Sequence, residues 1–77
     1  MNARDAFLQV VADSGLPIRE ITRQLGRSPG YFTHITKDDG STPRTDTLAR
    51  VADVCGYDLL LRRRIDEYEI PIDPYGD

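Results

Sequence analysis

The stretch from Pro17 to Ile35 places the tightest limit on the fold. In PIREITRQL, the residues Ile18, Ile21 and Leu25 recur at helical spacing, and Gly26 follows at once. A glycine just past an apolar helical run is a standard stop, because it tolerates a left-handed backbone. After Arg27, Ser28 and Pro29 restart a helix: serine is a strong N-cap and proline suits the first helical position. The spacing predicts this helix over about 29–37, with Phe32 and Ile35 inward and Tyr31 partly buried beside Ile35. Gly30, Thr33, His34 and Lys37 then fall on its outer face, and Asp38, Asp39 and Gly40 end it.

Further helices flank this pair. Asn2 is placed to cap a first helix, with Asp5 three residues on in a weak capping-box pattern. Ala3, Phe7, Val10, Val11 and Ser14 share a face with Leu8 beside them; Gly15 closes the helix and Leu16 supplies the accompanying apolar contact. Pro17 is expected at the first position of helix two, with Glu20 near its positive end. Arg19, Arg23 and Gln24 lie off its apolar face. A fourth helix is predicted from about Thr45 to Cys55, capped by Arg44 or Thr45. Its buried stripe is Leu48, Val51, Ala52 and Cys55, and Gly56 ends it.

The C-terminal part alternates instead. Tyr57, Leu59 and Leu61 form one period-two run, Tyr68, Ile70 and Ile72 another, with RRRIDE between them. This predicts a β-hairpin or two short strands, with Pro71 confining the second strand to an edge. A fifth helix is the rival, because Leu61, Ile65 and Tyr68 also fit a helical face. The chain divides into a helical domain over 1–56, a β extension over 57–73 and a loose tail over 74–77.

Seventy-seven residues make one small domain, and a dimer interface is a natural source of extra stability for it. Nothing approaches a membrane span, and the N-terminal Arg4 and Asp5 are followed by no apolar run, so neither membrane association nor a signal peptide is expected. A lone cysteine, Cys55, excludes an internal disulfide and fits the cytoplasm; with a single histidine beside it in the inventory, no metal site and no cofactor are expected. The net charge of −3 is unevenly spread. Residues 17–45 hold Arg19, Arg23, Arg27, Lys37 and Arg44 against Glu20, Asp38 and Asp39. Residues 65–77 hold five carboxylates and no base. The local distribution is what a polyanion meets.

Helix, tight glycine turn, second helix is the helix-turn-helix arrangement, whose second helix enters the DNA major groove. The run IREITRQLGRSPGYFTHI, the loop with Thr42-Pro43-Arg44 and the segment DTLARVADVCGYDL resemble the phage-repressor-like helix-turn-helix proteins, also called the xenobiotic-response-element family. The resemblance covers about residues 3–61, and its most specific parts are Gly26, Ser28, Phe32, Ile35 and the TLARVAD helix. It implies a mainly α, lambda-repressor-like four-helix domain. GYDLLLRRR followed by EIPID is similar to members that append a β element used in dimer contacts. The sequence departs from the family pattern at Thr22, where alanine is usual and whose hydroxyl is expected to bond back to the preceding turn. Arg27 stands where a small apolar residue is usual, Thr36 where glutamate is frequent, and Pro29-Gly30 where relatives place long base-reading side chains.

The resemblance implies a dimeric, sequence-specific regulator of double-stranded DNA, a repressor of phage, prophage or toxin–antitoxin type. In the family pattern Gly30, Thr33 and His34 face bases, with Gly30 only permitting close approach and His34 donating to a purine acceptor. Tyr31 serves either as core or as a contact to a thymine methyl or a phosphate. Ser28 and the start of helix three offer donors to phosphate. Arg19, Arg23, Arg27 and Lys37 are candidates for phosphate, and Arg44 for a narrow minor groove. The bland alternative for each of these charges is a solvated surface group. Arg62-Arg63-Arg64 is a second basic cluster: it either contacts DNA flanks or, as the preferred expectation, pairs with Asp66, Glu67 and Glu69 across a hairpin or a dimer interface. Leu59, Leu60 and Leu61 put apolar groups on both faces of a strand. With Tyr57 and Ile70 they form the expected dimer interface. No nucleophile has a positioned base and no glycine-rich phosphate loop exists, so no enzyme activity is expected. The contrasting expectation is an interaction module, such as a partner for a toxin, that keeps the fold without reading DNA.

Overall fold

Helix α1 spans Ala3–Ser14 and begins where the Asn2 side chain accepts a hydrogen bond from the Asp5 N–H at 2.8 Å. It ends through a relay at Ser14. The Ser14 hydroxyl donates to the Val11 carbonyl at 2.7 Å and accepts from the Leu16 N–H at 3.0 Å, so neither backbone group is orphaned. Helix α2 spans Ile18–Gln24, one residue later than expected, because Pro17 caps it from outside while its carbonyl accepts from Glu20 and Ile21. The computed structural model describes residues 1–37 and 40–76. Asp38 and Asp39, expected to end the third helix, and Asp77, expected in the tail, lie outside them.

Helix α3 spans only Thr33–Thr36, and helix α4 spans Thr45–Val54. The predicted helix over 29–37 is thus a correction: residues 29–32 wind as tight turns, in which the Tyr31 N–H donates to Ser28 and the Thr33 N–H to Gly30. Gly30 and the β-branched Thr33, Ile35 and Thr36 are poor helix formers, which keeps the α segment short. Ser28 is not the N-cap; Phe32 holds that position, without a side-chain bond. Arg44 precedes α4 as its N-cap, also without one.

The core is Phe7, Ile21, Phe32, Ile35 and Val51, each at most 1% exposed. Leu8, Val11, Leu16, Ile18, Leu25, Leu48, Val54 and Cys55 pack around it. Phe7 and Phe32 meet edge to face with centroids 5.3 Å apart, joining α1 to the turn before α3. Of the expected stripe on α4, Val51 and Ala52 are buried and Leu48 and Cys55 half-buried; Ala49 is buried as well. Thr22 is fully buried, and its hydroxyl donates to the Arg19 carbonyl at 2.9 Å, as expected from its helical position.

After α4 the chain forms a two-stranded antiparallel sheet, β1 (Leu60–Arg62) and β2 (Glu69–Pro71), pairing Leu60 with Pro71, Leu61 with Ile70 and Arg62 with Glu69. The hairpin reading holds, and the fifth helix does not form. Among the described residues no helix is long and apolar enough to cross a membrane. Past the sheet, the Arg50 Nε donates to the Pro74 carbonyl at 3.0 Å, and its guanidinium lies 5.6 Å from the Tyr75 ring centre.

Candidate nucleic-acid interface

The site is built around how α2 stops. Leu25 ends the helix and Gly26 takes φ 71°, a left-handed conformation in which a side chain is strained. The Gly26 N–H bonds the Arg23 carbonyl at 3.0 Å and the Arg27 N–H bonds the Thr22 carbonyl at 2.8 Å. These two bonds make a complete Schellman stop, which turns the chain sharply at a defined residue. The same pair of bonds recurs after α4, from Gly56 to Asp53 and from Tyr57 to Ala52.

Beyond the stop, Phe32 and Ile35 anchor the segment in the core. Gly30, Thr33, His34, Thr36 and Lys37 are all exposed, so the expected division of this segment into an inner and an outer face is present. Tyr31 takes neither of its two expected places cleanly. It is 39% exposed, packs edge-on against Phe32 at 5.0 Å, and carries the Arg27 guanidinium 5.3 Å from its ring centre.

The far end of α3 is held by contacts that no local pattern announced. Arg4, on α1, donates from Nε to the Ile35 carbonyl at 2.8 Å and from Nη2 to the Lys37 carbonyl. The Ser41 N–H satisfies the His34 carbonyl at 2.7 Å. Gly40 lies so close that a Cβ there would sit 2.5 Å from the Ile35 oxygen. The final carbonyls of a helix carry partial negative charge, so a guanidinium is well matched to them. Arg4 is the residue that sequence reasoning missed. Its partners lie more than thirty positions away, and only the tertiary path brings them together.

The cationic candidates differ in availability. Arg19 and Lys37 are exposed. Arg23 grips Glu20 through Nε at 2.9 Å and through Nη2, and Gln24 adds a bond at 3.2 Å. These hydrogen bonds, first from Arg23 and then from Gln24, lower the Glu20 carboxyl from 4.5 to about 2. Arg44 is 83% exposed at its side chain and lies 3.3 Å from Asp46. Two of the five cations therefore stand beside their own carboxylates. Phosphate at the start of helix three, expected through Ser28 and the backbone, loses its basis, because α3 is one turn long and starts four residues later than expected.

Between the Gly26 turn and α4 lies a cleft of about 260 Å³, bordered by Arg27, Tyr31, Thr47, Arg50 and Tyr75. It joins the Tyr31 side of the candidate interface to the docked tail. The expected dimer residues sit apart from it. Tyr57 follows the α4 stop, Leu59 and Leu60 are half-buried, and Leu61 and Ile70 are 62% and 53% exposed. In the arginine cluster, Arg63 pairs with Asp66 within the turn at 2.7 Å and stacks on Tyr68 at 5.2 Å. The pairing partner is thus a neighbour in the loop and not a carboxylate across the strands. No family model matches the chain, and neither the curated proteins nor the solved structures give a match.

Proposed function

We propose that this chain is a lambda-repressor-like, sequence-specific binder of double-stranded DNA that acts as a homodimeric transcriptional regulator. The observation that carries the reading is the Gly26 stop followed by a segment whose Phe32 and Ile35 are buried while Thr33, His34 and Lys37 face outward. A short segment fixed at both ends, with small polar side chains outward, suits close approach to base edges in the major groove. His34 and Thr33 are the base-reading residues in this reading. Tyr31 flanks them, and Arg19, Lys37 and the Arg44 loop supply contacts to the backbone.

The test is a mobility-shift titration against the chain's own upstream DNA over a salt series. Binding should weaken steeply as salt rises, since each neutralised phosphate adds roughly −0.9 to the log–log slope. Absent or salt-insensitive binding overturns the reading.

One observation favours a second reading, an interaction module that binds a protein partner such as a toxin. Arg23 and Arg44 already face Glu20 and Asp46, which reduces the charge offered to phosphate. Replacing Arg19, Lys37 and Arg44 together by alanine separates the two. Loss of DNA binding with the fold intact supports the first reading, and loss of a protein partner supports the second.

A further inference from the structure

The cleft between the Gly26 turn and α4 collects cations and rings but no carboxylate. Leu25 and Phe32 give it apolar surface, Tyr31 and Tyr75 line it with rings, and Arg27, Thr47 and Arg50 supply its polar groups. Segments far apart in sequence build it: the stretch after α2, helix α4 and the turn after β2. That last turn is set by Asp73, whose carboxylate accepts the Tyr75 N–H at 2.9 Å, and by the bond from Arg50 to the Pro74 carbonyl. The other nearby carboxylate is directed away from the cleft: Asp46 accepts the Thr47 N–H at 2.9 Å and lies 3.3 Å from Arg44. Among the described residues the ion pairs involve Arg23, Arg44 and Arg63, and neither Arg27 nor Arg50. A concave surface lined by charge of one sign focuses the field and draws in a counter-ion.

We propose that this cleft binds a small aromatic carboxylate, its ring against Leu25, Phe32 and the tyrosines and its charge on Arg27 and Arg50. The site goes beyond the function proposed above and does not depend on it. Three properties of the lining select the ligand. The uncompensated guanidinium groups call for an anion, and their planar forks match the oxygens of a carboxylate. The volume of about 260 Å³ falls just short of the roughly 300–1,000 Å³ that drug-sized ligands occupy, so it suits a single ring. Apolar and aromatic lining rewards a flat apolar body, which inorganic phosphate lacks.

Both cations are held ready for such a ligand. Arg27 lies over the Tyr31 ring at 5.3 Å and Arg50 over the Tyr75 ring at 5.6 Å. A guanidinium placed over a ring meets it with its face and keeps its in-plane N–H donors available. Arg50 directs Nε to the Pro74 carbonyl, which leaves its two Nη groups for a ligand. Arg27 is exposed and Arg50 half-buried, so the cleft has an outer and an inner cation. Side chains already fixed by stacking lose less freedom when an anion arrives, which favours binding. The Thr47 hydroxyl adds a neutral donor beside them.

The experiment titrates the full isotope-labelled chain with benzoate at constant ionic strength and without DNA, following backbone amide NMR signals. Benzamide, cyclohexanecarboxylate and inorganic phosphate are titrated in parallel. Benzoate should shift the signals of Arg27, Tyr31, Thr47 and Tyr75 along one saturable curve. Benzamide has the ring without the charge and should bind roughly tenfold more weakly, since a charge-assisted hydrogen bond is about twice as strong as a neutral one. Cyclohexanecarboxylate lacks the flat ring and phosphate the apolar body, so each should bind several-fold more weakly. Arg27→Gln should weaken benzoate roughly tenfold with helical circular dichroism unchanged, because the backbone N–H that completes the Gly26 stop is retained. Arg50→Gln should weaken it at least as much, since it also unties Pro74. No saturable shift at these residues, equal binding of any of the three comparison compounds, or either variant binding benzoate as the wild type does would each overturn the proposal. A chain that binds benzoate here but no duplex keeps the site and counts against the DNA reading alone.

Discussion

The helical body and the hairpin are stabilised by different physics. In the body, five large side chains from α1, α2, α3, α4 and the turn before α3 meet with at most 1% exposure. In the hairpin, Leu61, Ile65, Tyr68 and Ile70 are between 53% and 89% exposed. An isolated two-stranded hairpin is marginal in water, and this one is held by its own loop: Arg63 pairs with Asp66, and both the Asp66 carboxylate and the Arg63 carbonyl accept backbone N–H groups of the turn. The body therefore holds its shape through burial, which a single chain can supply. The hairpin holds its shape through local bonds and leaves one apolar face exposed.

The sharpest way to break this comparison is to delete one large apolar group from each region. Phe32→Ala removes the ring that meets Phe7 and should cost about 3–5 kcal/mol, enough to unfold much of so small a domain. Ile65→Ser at the hairpin tip should stay within about 0.5 kcal/mol. Urea denaturation followed by helical circular dichroism measures both. Comparable losses would show that the hairpin is part of the cooperative core.

A smaller effect tests how the two regions make their turns. Both use a left-handed residue, but the body places Gly26 there at φ 71° and the hairpin places Glu67 at φ 60°. A Cβ at Gly26 would meet nothing within 4 Å, so Gly26→Ala isolates backbone strain, expected at about 1–2 kcal/mol. Glu67→Gly should act in the opposite direction, stabilising the turn by about 0.5–1 kcal/mol. The hairpin amide signals in NMR hydrogen exchange report the second change. A loss of protection there on Glu67→Gly would mean that the glutamate side chain, and not the backbone, holds the turn.

The same contrast explains what was legible in the sequence. Helix ends are local, so Asn2, Gly15, Gly26 and Gly56 announced them, and period-two alternation over 57–72 announced the hairpin. Apolar spacing named Phe7, Ile21, Phe32, Ile35 and Val51 as inward residues. The length of α3 was less accessible, because Ser28-Pro29 is a strong start signal whose effect Gly30 and the β-branched residues outweigh. Side chains that act across the fold were not legible at all. Arg4 reaches carbonyls on α3, and Arg50 ties down Pro74 and Tyr75, through contacts with no sequence spacing of their own. The candidate site shows the same limit: which residues face outward followed from periodicity, whereas the carboxylates beside Arg23 and Arg44 depend on rotamers that a charge count does not reveal.

The smallest expected effect concerns those carboxylates, one in each region. Glu20 in the body titrates at about 2, drawn down from 4.5 by hydrogen bonds from Arg23 and Gln24. Asp66 in the hairpin is also lowered, by the Arg63 hydrogen bond first and the Tyr68 N–H second. A carboxyl lowered by folding contributes stability that is present above its unfolded pKa and lost as pH falls through its folded one. For Glu20 that window runs from 4.5 down to about 2, so the loss comes on the acid side and leaves neutral pH untouched. Both pairs are solvent-exposed and short-range, so added salt should narrow the effect. Carboxyl NMR titration of the wild type, Arg23→Met and Arg63→Met separates the regions. Arg23→Met should return Glu20 toward its ordinary value without moving Asp66, and Arg63→Met should do the reverse. If either substitution moves both carboxyls, the body and the hairpin are electrostatically coupled and the hairpin is not the self-contained unit that its exposure suggests.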